Sequence, residues 1–436
     1  MRPNSPTIPV GPTDIAAPEG KLHSPTTARR RLLMIAYWYP PENESGALRP
    51  ARFCKYLPEY GYEPLVVAAA NSNAHGGSQT VLRVPDPNSD HRAAAWLAGL
   101  GRGLQRLLPY NDCLEWVPHA VAAAAPRLFG GEFPVIMSTS PPVATHITAL
   151  WLKRRFKVKW IADFRDPIGG NPFRTRPHGR IYDALVERSI LSQADAIIVN
   201  TDATLEMLGQ RYRRYRHKIC VIWNGYDPDD NLVAAPIPPR DHRVIAHFGS
   251  IYGGRHPGKL VDSLQRLIQR NSIARQDIHL SLVGSIDRDK PWVSQSAFSE
   301  LVQAGNLEYT DRALPREEAN RRMKETDYLL LLDLNEMETG LQVPAKLFEY
   351  IRIGRPILAF TTKSSPVDRI LRQSGAPHVC VYSDDPSDEI DRKVLALLSM
   401  PREPTSPSSW FEEQFDARQQ TGLLAAVLDS VMRGVG

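Results

Sequence analysis

The segment Val343-Pro344-Ala345-Lys346-Leu347-Phe348-Glu349-Tyr350-Ile351-Arg352-Ile353-Gly354-Arg355-Pro356 carries the most chemistry in this 436-residue chain. Pro344 suits the first turn of a helix, where a missing N–H costs nothing. Lys346 and Glu349 are three apart and share one helix face. The positive end of a helix, joined by an ammonium group, suits a diphosphate. A carboxylate one turn deeper repels phosphate but accepts two hydrogen bonds from a ribose diol. Taken alone, the pair also reads as a surface ion pair worth about 0.2–0.5 kcal/mol.

A second cluster runs from Gly249-Ser250 through Gly253-Gly254-Arg255-His256-Pro257-Gly258-Lys259. Glycines let backbone N–H groups approach an anion, and Arg255 adds a fork that pairs with phosphate. The same residues fit G-x-x-x-x-G-K, and Tyr328–Leu332 with Asp333 gives an apolar strand ending in Asp, as in a P-loop ATPase. Leu260 stands where that loop requires a Ser or Thr for Mg²⁺, which disfavours the ATPase reading. The chain has no G-x-G-x-x-G after a strand, no G-x-S-x-G, no H-E-x-x-H and no EF-hand loop. Cys54, Cys113, Cys220 and Cys380 are scattered, so neither a zinc site nor a disulfide framework is expected, and a cytosolic compartment is.

These residues need a scaffold, and the hydrophobic pattern supplies one. Residues 1–28 are rich in Pro, Ser and Thr and read as a disordered tail. From residue 29 to 227, short apolar strands (Leu32–Tyr37, Leu65–Ala69, Pro134–Ser138, Lys159–Asp163, Ala196–Asn200, Lys218–Trp223) alternate with helical periods. Residues 71–118 are hard to read, with a helix expected near Trp96–Leu107. A proline-rich linker is expected over 228–242. The alternation restarts over 243–405, with Pro315, Pro344 and Pro366 opening helices, and a last helical period covers about Phe411–Met432 within 406–436. Strand–helix alternation predicts two α/β domains, each a doubly wound parallel sheet, facing across a cleft.

Composition sets outer bounds. Apolar residues make up 42% and charged residues 23%, which is ordinary globular usage. Fifty-three Lys and Arg against 48 Asp and Glu leave a net charge of +5, too small to argue for nucleic acid. No apolar run reaches the roughly 18 residues of a membrane span.

With the motifs set out, the chain resembles a GT-B-fold nucleotide-sugar glycosyltransferase of family 4, the bacterial polysaccharide-assembly type. Tyr37-Trp38-Tyr39-Pro40-Pro41-Glu42 with Gly46 and Arg49 is similar to the family's opening loop. Trp160-Ile161-Ala162-Asp163-Phe164-Arg165-Asp166-Pro167 resembles its D-x-R-D segment, and Ala194-Asp195 followed by Ile222-Trp223-Asn224-Gly225-Tyr226-Asp227 resembles the stretch closing its first domain. Gly249-Ser250 through Arg255 and Lys346 through Pro356 resemble two second-domain motifs. The resemblance implies donor binding by Gly46, Asn224, Gly249, Ser250, Arg255, Lys346 and Glu349, with Glu349 on the ribose and Arg255 and Lys346 on the diphosphate. It also implies an acceptor near Asp163–Asp166, a terminal helix crossing back onto the first domain, and no metal or other cofactor. The family's first Glu of E-x7-E falls at Leu341, with Glu338 nearby as a substitute.

Breaking an anomeric C–O bond to a diphosphate requires positive charge at the leaving group and a polarised acceptor hydroxyl. The resemblance implies retention of configuration. Asp166, with Asp163 behind it, is the candidate for orienting or deprotonating the acceptor; the alternative is strand-end aspartates bonded to Arg165 or to loop amides. Basic runs at Arg211, Arg213, Arg214, Arg216, Lys218 and at Lys153, Arg154, Arg155, Lys157, Lys159 fit peripheral contact with the cytoplasmic membrane face and a polyprenyl-diphosphate-linked acceptor, or equally solvated helix ends. A sugar-nucleotide epimerase of the same fold and an inactive nucleotide-binding scaffold are the other readings.

Overall fold

In the computed structural model, residues 29–42, 45–70, 80–87, 110, 112–171, 174, 176–252, 254–286, 292–310, 312, 314–333 and 341–434 are described. The tail and the helix expected near Trp96–Leu107 lie outside them. Two all-parallel sheets form. The first comprises β1 (Arg30–Ala36), β2 (Tyr62–Ala70), β3 (Val81–Pro85), β4 (Val135–Ser140), β5 (Lys159–Phe164), β6 (Ala196–Val199) and β7 (Ile219–Val221), in the order 3-2-1-4-5-6-7. The second comprises β8 (Arg243–Phe248), β9 (Ile278–Val283), β10 (Leu307–Tyr309), β11 (Tyr328–Leu332), β12 (Ile357–Thr361) and β13 (His378–Tyr382), in the order 10-9-8-11-12-13. Each order reverses once, between β1 and β4 and between β8 and β11. A crevice opens at such a reversal, outside the carboxyl ends of the strands.

Both faces of the first sheet are covered, which explains why β6 and all but the first two residues of β1 read as apolar runs. Leu33 and Ile35 pack under the helices Val117–Leu128, Ala144–Phe156 and Gly179–Gln193. Leu32 and Met34 face the other way, against Phe53 of the helix Ser45–Tyr56 and Leu424, Leu428 and Val431 of the terminal helix Ala417–Arg433. The second sheet is sandwiched likewise by Leu260, Leu264 and Leu267 of the helix Gly258–Gln269 on one face and Leu347, Phe348 and Ile351 of the helix Lys346–Ile353 on the other.

The terminal period divides into two helices, Ser409–Phe415 and Ala417–Arg433. Asp416 separates them with extended backbone, and its side chain accepts from Arg418 N at 2.6 Å to cap the second. Asp416 also bridges to Tyr226, with Tyr226 N donating to Phe415 O at 3.0 Å and Ala417 N donating to Tyr226 O at 3.0 Å. A Cβ on Gly225 would lie 2.0 Å from the Phe415 carbonyl oxygen, so this crossing back to the first lobe needs glycine there. The helix Val117–Leu128 and the edge strand β3 fall within or beside the stretch that the sequence left unread. The four cysteines are free thiols. Among the described residues no helix is long and apolar enough to cross a membrane.

Candidate active site between the lobes

The helix that follows β1 brings Gly46, Arg49 and Arg52 to the rim of the first sheet. Arg49 is buried, and its Nη2 donates to Asp163 Oδ1 at 2.9 Å and to the Ile222 carbonyl at 2.8 Å. Its Nη1 donates to the Trp223 carbonyl at 2.8 Å and to Asn224 Oδ1 at 3.3 Å. Thr139 Oγ1 adds a bond to Asp163 Oδ2 at 2.8 Å. Asp163 has no exposed surface: its carboxylate is enclosed by Arg49 and Thr139 and ties together the ends of β4, β5 and β7. Asn224 belongs to the same network through its side-chain oxygen.

Gly46 takes a place the sequence did not suggest. A Cβ there would lie 2.1 Å from Arg165 Nη1, so glycine admits the Arg165 guanidinium against the start of the helix. Arg165 Nε also donates to the Ser140 carbonyl at 3.0 Å. Asp166, next in the chain, is half-buried at the cleft. Burial pushes its carboxyl up from the ordinary value, against the pull of Arg165, Arg255 and a hydrogen bond with Gln342. Two of those partners belong to the second lobe, so Asp166 faces across the gap.

On the second lobe, β8 ends at Gly249 (φ +153°) and β9 at Gly284 (φ +146°). A Cβ on Gly284 would lie 2.1 Å from the Gly249 carbonyl oxygen, so the two turns touch backbone to backbone. Ser250 is exposed beyond them. Arg255 Nη1 donates to Tyr252 Oη at 2.9 Å and Nη2 to Gln342 Oε1 at 3.3 Å. Lys259 turns away and donates to the Ser383 carbonyl at 2.6 Å, which removes the lysine that a P-loop would aim at phosphate.

The helix Lys346–Ile353 starts two residues after Pro344, and no side chain caps its N-terminus. Lys346 Nζ donates to Glu349 Oε2 at 2.5 Å, so in this state the two side chains hold each other. Glu349 is buried, and burial pushes its carboxyl up. Lys346, Arg316 and Arg52 outweigh that and hold it below the usual range. Arg316 is tied to Asp230 at 2.7 Å, and Arg52 donates to the Gly225 carbonyl. Lys346 and Arg255 also both oppose a proton on buried His247, so both cations flank the end of β8. Burial is the larger cause, and His247 is pushed down to about 4.

Arg255, Lys346, Glu349 and Asp166 therefore share one cleft. Arg52, Arg316, Gln342 and His247 join them without having been singled out in the sequence. Arg52 had a visible signal, lying one turn after Arg49 on the same helix. Gln342 had none beyond preceding Val343-Pro344. The Leu341 carbonyl accepts from Thr201 Oγ1 at 2.9 Å and Thr204 Oγ1 at 3.3 Å, so the backbone at the departed Glu position latches the lobes together. Glu338 lies outside the described residues.

Residues 47–225 match the model of the glycosyl transferase 4-like domain. No curated protein sequence matches the chain. Solved structures match more than nine-tenths of its length at low identity. Sucrose-phosphate synthase from Thermosynechococcus elongatus aligns over 94% of this chain and 98% of its own, with 13% identity and a TM-score of 0.60. Anabaena HepE, solved in complex with UDP and glucose, aligns over 92% and 99%, with 14% identity and a TM-score of 0.60. UDP-GlcNAc 2-epimerase from Methanocaldococcus jannaschii aligns over 92% and 99%, with 11% identity and a TM-score of 0.54. Residues 47–225 thus resemble a glycosyl transferase 4-like domain, and the two lobes have the GT-B fold of these solved structures.

Proposed function

We propose that this protein is a metal-independent, retaining hexosyltransferase that moves a sugar from a UDP- or GDP-linked donor to a saccharide or polyprenyl-diphosphate-linked acceptor in cell-surface polysaccharide assembly. The observation that carries the proposal is the gathering of Arg255, Lys346, Arg52 and Arg316 around one cleft, against Glu349, Asp166 and the Asp230 that is tied to Arg316. That excess of positive charge, beside an uncapped helix N-terminus, suits a diphosphate. Gly249 and exposed Ser250 would let the donor approach the end of β8 closely. HepE and this chain share the fold, and HepE was solved with UDP and glucose, which makes UDP the first ligand to try.

In the proposed reaction the donor's anomeric C–O bond breaks and its electron pair stays on the diphosphate. Arg255 and Lys346 offset the new charge. For Lys346 to do so, its bond to Glu349 loosens, and Glu349 becomes the acceptor for the ribose diol. The acceptor hydroxyl forms the new C–O bond on the face the leaving group vacates, and its proton passes to Asp166 or to the departing phosphate. A carboxyl pushed up by burial is a stronger base than an exposed aspartate, which favours Asp166 for that place.

The shared fold of the 2-epimerase keeps one competitor in view. A donor assay with and without saccharide and lipid-linked acceptors separates the two. Acceptor-dependent release of UDP or GDP, undiminished by chelator, supports the transferase. Release of free sugar with altered C2 configuration and no acceptor requirement supports the epimerase.

A further inference from the structure

We infer that the outer face formed by the helices Val117–Leu128, Ala144–Phe156 and Gly179–Gln193 docks onto an anionic lipid bilayer. The three lie side by side on one face of the first sheet. Large apolar side chains stand out from it: Phe129 is 70% exposed, Trp151 49%, Ile181 71% and Leu185 65%. A soluble surface carries such residues singly. Here Ile181 and Leu185 repeat one turn apart, Trp151 sits on the neighbouring helix, and the Phe129 ring meets Phe156 at 5.0 Å.

The exposed charges on the three helices have one sign, and Glu132, three residues past Phe129, is paired with Arg31 at 2.5 Å. Arg127, Arg154, Arg155, Arg180 and Arg188 are exposed. The first two helices contain no acidic residue. The third contains Asp183 and Glu187, both buried and both committed, to Arg174 at 2.6 Å and Arg211 at 3.2 Å. No carboxylate is therefore exposed on these three helices. Cations ringing aromatic and aliphatic tips match an anionic headgroup layer over acyl chains.

The basic runs visible in the sequence do not make this face by themselves. Lys153 is tied to Asp195, Lys218 to the Ala194 carbonyl and Arg211 to Glu187, so part of each run is structural. The apolar anchors come from residues outside both runs or one turn before them. The face adjoins the loop after β5 that carries Asp166, because the helix Gly179–Gln193 continues that loop. A lipid-borne acceptor held there would lie beside the cleft. The inference itself does not depend on the proposed activity, since vesicle binding needs neither donor nor acceptor.

The test is co-sedimentation of the full chain with vesicles of phosphatidylcholine alone and of phosphatidylcholine with phosphatidylglycerol. Binding to the anionic vesicles only, weakened by salt, is expected. Arg154, Arg155, Arg180 and Arg188→Gln together should weaken it about a hundredfold or more, given roughly 1 kcal/mol for each cation at the surface. Trp151, Ile181 and Leu185→Ser should abolish retention at low salt while thermal unfolding stays unchanged. Equal partition to both vesicle types, absence of binding, or indifference to either variant set would overturn the inference. So would light scattering that shows a dimer dispersed by the serine variants, which would make a second copy the occupant.

Discussion

Arg255 is the side chain whose removal tells most about the chemistry. It joins Tyr252, Gln342 and, through charge, Asp166. Arg255→Ala should lower kcat/KM for the sugar donor by about 10²–10³, the scale of losing one charge-stabilising donor at a transition state. Circular dichroism and thermal unfolding should be unchanged. The buried Arg49–Asp163 pair predicts the opposite pattern. Asp163→Asn leaves a guanidinium buried without its counter-charge and should cost about 3–5 kcal/mol of stability. Denaturant titration measures it, and the folded fraction should still bind nucleotide. If Asp163→Asn instead left stability intact and abolished turnover, Asp163 would act on substrate after all.

His146 and His247 give the molecule a pH dependence. Both are buried, and burial pushes them down to about 3 and about 4. An unfolded histidine titrates near 6.5, so between about 6.5 and 4 the unfolded chain binds the more protons. Stability is fully present above that window and is lost as pH falls through it, at no more than about 1.4 kcal/mol per pH unit for each histidine. His146→Gln should flatten the slope of unfolding free energy between pH 6.5 and 4.5. An unchanged slope would show that His146 does not titrate in that window.

At the scale of elements, the chain's return to the first lobe passes through one tight crossing. Gly225→Ala would drive a Cβ into the Phe415 backbone, and overpacking at a site that cannot yield costs about 1–3 kcal/mol. Leu428→Ala, on the buried face of the terminal helix, should cost about 2–5 kcal/mol. Calorimetric unfolding of both variants checks these values. The strands most legible in the sequence were those buried on both faces, such as Tyr328–Leu332, where five apolar residues stand between polar neighbours. The helix Val117–Leu128 was missed because its alanines and two prolines give no contrasting polar stripe. The break at Asp416 was hidden because the apolar period runs on through it. In the site, Arg255, Lys346 and Glu349 were legible from their motifs. Arg52 showed only through its spacing from Arg49, and Gln342 not at all, since what brings them in is the docking of one lobe on the other, which no local pattern encodes.

For the whole molecule, the second lobe touches the first through the Leu341 carbonyl, through Gln342 and Arg255, and through Arg52 near Glu349. Each contact borders the cleft, so a ligand that bridges the lobes should stabilise the entire chain. One at a hundredfold excess over its Kd adds about 2.7 kcal/mol. The most direct test of the central claim is isothermal titration of the wild-type chain, Arg255→Ala and Glu349→Gln with UDP and with GDP. The account predicts that one of the two nucleotides binds the wild type and that each substitution weakens it by about tenfold or more, the scale of a lost charged hydrogen bond. Failure of both nucleotides to bind, or equal affinity across all three proteins, would contradict it.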